Sequence, residues 1–481
     1  MSTQSLRSRR SRASQRGIAI ILVMAGITLM AIMLTEFQDQ ESGDLASAIY
    51  ERDSLRAEYA AKSAVNLARL LLASEPTVRK TLAPLFALMR VSAPQIPIWE
   101  FSDQVLGAFG DSSGVDKFRG LAQLDMTQAK NLGLEGAGFD VMVIDEDSKL
   151  DLNLAAKGDA FSEDRAGAAM LGLIGGEQYN TLFEGRDADG QFSTRQDVCG
   201  AVVDWTDPNT DKYGCDPHAG TAQTYGSEDT YYQMLTDPYP RKNAAFDSLE
   251  ELRMVRGVTE DFWSTFVEPN PDDPHSRPVT VWGQGATNVN TANAQAILAI
   301  VCANALNAPM CTDMQQAMQF LSTVNLVRSF TQGAPVFNSP QDFILAMKGQ
   351  GPVGEILAAI GVQPVTFLSD TDAMKTITTQ SKVFSILATG YVKGPHRETR
   401  VKIHAVVDFR GAPAPNAALA ALAAATGAGG AANQLAAAAA VAAGGASSSS
   451  ANLSPQDAVQ QAITGALKAD PAGKVIYFRI N

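Results

Sequence analysis

Histidine and cysteine are scarce in this chain, four of each in 481 residues. His218, His275, His396 and His404 are scattered, and no GxSxG, HExxH or P-loop run lies near them. Nucleophilic, zinc-protease and nucleotide chemistry therefore have no motif to stand on. Asp204 and Asp207 form a carboxylate pair, but nothing places a substrate beside them, and no catalytic residue is assigned. There is no CxxC, and His218 is the only histidine near a cysteine, so a zinc centre fails on ligand spacing. Basic residues are also few: 38 Lys and Arg stand against 51 Asp and Glu, a net charge of −13. Such a surface repels phosphate backbones, which argues against nucleic acid as a partner and favours cations.

What the chain does have is one long apolar run. Gly17 to Leu34 reads GIAIILVMAGITLMAIML, and the 17 residues from Ile18 to Leu34 carry no charge. At ~1.5 Å per residue they span roughly 25 Å, enough to cross a bilayer core without tilt. Arg7, Arg9, Arg10, Arg12 and Arg16 precede the run; Glu36, Asp39, Glu41 and Asp44 follow it. That asymmetry puts the N-terminus in the cytoplasm and the rest outside. A removed secretory signal needs a small-x-small site just past the apolar core. Ala46-Ser47-Ala48 ends 14 residues beyond Leu34, too far to be cut at the membrane surface. In an oxidising exterior the four cysteines are expected to form two disulfides. The local pairs Cys199–Cys215 and Cys302–Cys311 are favoured, because short loops cost little closure entropy. Thr35–Ala73 lacks proline and is rich in helix formers, so the helix should continue under a soluble head and stop near Pro76. Its packing face is expected to be Leu45, Ile49, Tyr59, Val65, Leu67 and Leu71.

A basic leader, a glycine and an uninterrupted apolar helix resemble the N-termini of type IV pilins and pseudopilins. The resemblance implies cleavage by a prepilin peptidase between Gly17 and Ile18, with Ile18 becoming the methylated N-terminus. Most of that family carry a glutamate at mature position five; here the position is Leu22, as in the K-type minor pseudopilins of type II secretion. Further runs resemble the same family. They are the strand FDVMVI (Phe139–Ile144) leading into DEDSKLDLNLA (Asp145–Ala155), a D-W-x-D at Asp204–Asp207, an E-x-x-Y-Y at Glu228–Tyr232, a proline-rich turn, and SLEEL at Ser248–Leu252. The acidic run Asp145–Ala155 reads as a hairpin with a charged turn, and Ser248 with Glu251 as the capping box of a helix closed by Gly257. Ser339-Pro340 opens another helix. SLEELRMVRGV and NVNTA (Asn288–Ala292) also look like helix-hairpin-helix pieces, a form that binds DNA in other proteins; with few basic residues nearby they read as packing.

The expected fold is α+β: a long N-terminal transmembrane helix, then a pilin-like β-sheet head with a large inserted α-helical domain. The boundaries read as a prepilin leader (1–17), an extended helix (18–75), the first part of the head (76–194), the insert (195–365), and the second part of the head (366–481) with an Ala/Gly/Ser-rich loop at 411–450. By resemblance the chain is a tip subunit of the pseudopilus, without a reaction of its own. Its implied partners are the I- and J-type minor pseudopilins, the prepilin peptidase and the inner-membrane secretion platform, with the head in the periplasm. A type IV pilus tip subunit or a DNA-binding membrane protein are the alternatives. Asp204, Asp207, Asp211, Asp216, Glu228 and Asp229 put six carboxylates into 26 residues, with Lys212 alone intervening. Such density repels itself unless a cation relieves it, and calcium, which takes oxygen ligands, is the expected ion; the family resemblance implies the same. Asp187-Ala188-Asp189-Gly190-Gln191 begins like a calcium loop, but Val198 stands where an EF-hand needs its final glutamate.

Overall fold

The computed structural model describes residues 15–88, 92–107, 136–186, 190–216, 227–305, 307–331, 333–394, 397–412 and 470–481. Most of the leader, the start of the 187–191 run and nearly all of the Ala/Gly/Ser-rich loop lie outside them. Helices of eight residues or more and strands of seven or more are numbered here.

Helix α1 spans Gln15–Leu88 and passes through both Pro76 and Pro84. It thus outruns the expected stop at Pro76: a proline removes one backbone donor and kinks a helix, but need not end one. From Ile18 it contains a segment of mean hydropathy 2.6, long and apolar enough to cross a membrane and unburied throughout. Farther along, α1 lies against a four-stranded antiparallel sheet. The strands are β1 (Ala137–Asp145), β2 (Val383–Lys393), β3 (Glu398–Asp408) and β4 (Lys474–Ile480), in the order β1-β2-β3-β4.

The face of α1 that is buried differs from the expected one. Ala57, Ala61, Ala64, Val65, Ala68 and Leu72 form it, while Leu45, Ile49 and Tyr59 are exposed. Leu67 and Leu71 pack only at its margin. Small side chains win because the helix comes very close to the sheet. A Cβ on Gly390 of β2 would sit 1.9 Å from the carbonyl oxygen of Ala57. The core between helix and sheet is completed by Phe139, Val141 and Val143 of β1, Phe384, Ile386 and Ala388 of β2, and Ile403, Ala405 and Val407 of β3. These residues alternate along each strand, as one buried face requires.

Between β1 and β2 the chain builds a helical lobe with its own core, running from Leu150 to Ile377. Its main helices are α2 (Ala160–Ile174), α3 (Arg195–Thr206), α4 (Ala294–Asn304), α5 (Met314–Thr331), α6 (Pro340–Met347) and α7 (Gly351–Ala359). The lobe begins earlier than the expected boundary at 195. Helix α2 packs on α4 so tightly that a Cβ at Gly172 would meet the Ala299 carbonyl at 2.1 Å. Ser339 caps α6 with a full capping box, as its sequence implies. Ser248 makes no side-chain cap, and Leu249–Met254 is a 3-10 turn rather than an α-helix. Residues 370–375 form a short helix before β2.

The run Asp145–Asp151 is not a solvated hairpin turn. Asp145, Glu146, Asp147 and Lys149 are all buried. Asp145 accepts from the hydroxyls of Thr291 and Ser381, and Glu146 accepts from Thr280 and pairs with Lys149 at 3.3 Å. Asn153 Nδ2 donates to the Phe246 and Val281 carbonyls, and its Oδ1 accepts from Phe246 N. These side chains join sheet to lobe.

Candidate metal centre

Helix α3 starts with a capping box, Thr194 with Asp197, and delivers Asp204 and Asp207 at its C-terminal end. Trp205 between them points into an aromatic cluster, 5.7 Å from Tyr232 and stacked on Phe246 at 6.3 Å. The D-W-x-D and E-x-x-Y-Y runs are therefore two halves of one structure, in which the aromatic residues pack and the acids converge. Single carboxylate oxygens of Asp204, Asp207 and Glu228 all lie within 4.8 Å of one another, and all three residues are buried. The Cys199–Cys215 disulfide, with Cα atoms 5.9 Å apart, ties α3 to the loop that follows it. Cys302 pairs with Cys311 at the end of α4, with a Cα separation of 5.5 Å.

Asp204 Oδ1 accepts from the Tyr213 amide at 2.7 Å. Both oxygens of Asp207 and both of Glu228 are buried without a hydrogen bond of good geometry. Arg241, itself buried, lies against Glu228 as an ion pair, donates Nε to Asp229 at 2.8 Å and Nη1 to the Asp204 carbonyl at 2.7 Å. One guanidinium thus faces three converging carboxylates and is shared with a fourth. Burial pushes Asp204 up to about 7, assisted by the neighbouring Asp207 charge and opposed by the Tyr213 amide. Burial also pushes Asp207 up to about 6, with Glu163 adding repulsion. A buried set of acids with this excess negative charge is costly unless protons or a cation neutralise it. Hard carboxylate oxygens converging in this way fit calcium.

Of the six carboxylates singled out in the sequence, the structure thus gathers Asp204, Asp207 and Glu228. Asp229 is held by Arg241, and Asp211 and Asp216 are exposed. Glu163, which accepts from Asn209 Nδ2 at 3.2 Å beside Asp207, and Arg241 are additional members. Neither is signalled locally, because Glu163 belongs to α2 and Arg241 to the proline-rich turn. His218, Asp187 and Asp189 lie outside the described residues.

A membrane-length helix that continues beneath an antiparallel sheet, with a helical lobe inserted between the first two strands, defines a pilin-like protein with an inserted domain. Residues 148–266 match the model of the family described as type II secretion system (T2SS), protein K. The type II secretion system protein K of Aeromonas hydrophila is 42% identical over 59 residues, which are 12% of this chain and 15% of that protein. A solved structure, the GspK-GspI-GspJ complex from the type 2 secretion system of enterotoxigenic Escherichia coli, shares 14% identity with a TM-score of 0.36, covering 57% of this chain and 76% of that one.

Proposed function

We propose that this protein is a minor pseudopilin at the tip of a type II secretion pseudopilus. The observation that carries the reading is α1, which joins a membrane-length apolar segment to an antiparallel sheet whose helical lobe includes the family-matched segment. In this reading a prepilin peptidase cuts between Gly17 and Ile18, and the helix stays in the inner membrane as a single span with the head in the periplasm. A lobe running from Leu150 to Ile377 beside a four-stranded sheet is too bulky to repeat inside a thin helical fibre, so the subunit caps it. Leu22 agrees: a subunit with none above it needs no glutamate to meet a neighbour's ammonium. The proposed partners are the I- and J-type minor pseudopilins, packed along the exposed apolar length of α1, together with the secretion platform. The protein has no reaction of its own. Calcium, held by Asp204, Asp207 and Glu228, would neutralise the buried acids and tie α3 to the segment after residue 226. N-terminal sequencing of the membrane-extracted protein tests the class: methyl-isoleucine at Ile18 is expected, and an intact Met1 overturns it.

A further inference from the structure

A cavity of about 250 Å³ lies in the lobe, walled by α5, α6 and α7 and closed on one side by residues 333–337. Nothing in the proposed function uses it. Phe320, Val324, Phe337, Phe343 and Leu357 make it apolar, and Arg328 of α5 also lines it. The wall is preformed: Asn290 Oδ1 accepts from the amides of Val336 and Phe337 at 3.0 and 2.9 Å, and its Nδ2 donates to the Phe337 carbonyl at 2.9 Å.

Arg328 is poorly served in this setting. Among the described residues its one hydrogen bond goes to the Asn290 carbonyl at 3.5 Å, the outer limit of such a contact. Among the described residues no carboxylate lies within ion-pair distance of it. Glu100, which also lines the cavity, and Asp145 oppose Arg328's desolvation only through space. A guanidinium partly withdrawn from water beside an apolar void has, among the described residues, no carboxylate at close range to offset that loss. A ligand carboxylate would supply it in a charge-assisted bond, while an aliphatic tail would fill the void. A neutral apolar ligand would strip water from Arg328 and return nothing. We propose that this cavity binds an aliphatic monocarboxylate, tail inward among the phenylalanines and carboxylate on Arg328.

The test uses the full chain in lipid nanodiscs, titrated with octanoate and, separately, octanol, with saturation-transfer NMR as the readout and empty nanodiscs as background. Octanoate is expected to bind roughly tenfold more tightly than octanol, the difference a charge-assisted hydrogen bond confers. Arg328→Gln is expected to erase that preference and Arg328→Lys to keep part of it. Equal binding of the two probes would overturn the proposal, pointing to a plain apolar slot such as one for a partner's side chain. So would octanoate signal no greater than that of empty nanodiscs, or an Arg328→Gln variant that still prefers octanoate. Should Arg328→Gln fail to fold, the octanoate–octanol comparison on the unaltered chain decides alone.

Discussion

Asp147 Oδ2 accepts hydrogen bonds from the backbone amides of Lys382 and Val383, at 2.6 and 3.0 Å, where the chain leaves the lobe to begin β2. Its other oxygen accepts from the Gln284 amide at 2.9 Å. One carboxylate, two residues after β1 ends, thus holds together the two points where the lobe leaves and rejoins the sheet. Asp147→Ala leaves three amides without this acceptor, and an unsatisfied buried donor costs roughly 1–3 kcal/mol. Urea denaturation should show a loss of about 3 kcal/mol or more, and Asp147→Asn, which keeps one acceptor, a smaller loss. An alanine variant with an unchanged midpoint would remove the junction from this account.

The acid cluster at Asp204, Asp207 and Glu228 makes a prediction of opposite signs. With millimolar calcium the unaltered protein should melt above its midpoint in EDTA, by about 2.7 kcal/mol of added stability at a hundredfold excess over Kd. Asp207→Asn removes one of the repelling charges. In EDTA it should be at least as stable as the parent, yet calcium should raise its midpoint little. A calcium response that survives in Asp207→Asn would move the ion elsewhere.

Asp151 titrates outside that cluster. Burial pushes its carboxyl up to about 7, outweighing the Asn153 amide and the charges of Lys157 and Arg410. Its folded pKa therefore lies above its unfolded value. The stabilisation is complete below about pH 4 and is lost as pH rises through about 7. The urea midpoint should fall between about pH 5 and 8, with this residue contributing on the order of 1–3 kcal/mol. Asp151→Asn keeps an acceptor for the Asn153 amide and should flatten that part of the slope. Identical pH profiles for parent and variant would contradict it.

The apolar anchor, the strand Phe139–Ile144 and the acid-rich loops are legible in the sequence because each is a local pattern: an uncharged run, alternation, carboxylate density. The junction at Asp145–Asp151 is not, since charged residues in sequence normally mean solvent. Their burial depends on Gln284, Thr291, Ser381 and Lys382, all more than a hundred residues away. The same limit explains Arg241 and Glu163, whose relation to Asp207 and Glu228 exists only after the lobe closes. For α1 the difficulty was the reverse. Large apolar residues suggested a packing face, but contact distance, not hydrophobicity alone, selects which side of a helix meets a sheet.

Gly390 sets that distance, and changing it should show whether α1 is seated as described. Its opposite number on β1 is Phe139, and on its helix-facing side it has the Ala57 carbonyl and the Ala61 amide. A Cβ there would lie 1.9 Å from Ala57 O and 2.7 Å from Ala61 N. Both are backbone atoms, which no rotamer change can move aside. Gly390→Val therefore has to lift α1 from β2 or bend the strand, opening the layer formed by Ala61, Val65, Ile386 and Ala388. Overpacking of this kind costs about 1–3 kcal/mol, and rigid backbone on both sides puts this site at the upper end. Tyr59→Ser, on the exposed side of the same helix turn, should stay within about 0.5 kcal/mol of the parent. If the two variants denature alike in urea, the helix does not rest on β2 through its alanine stripe.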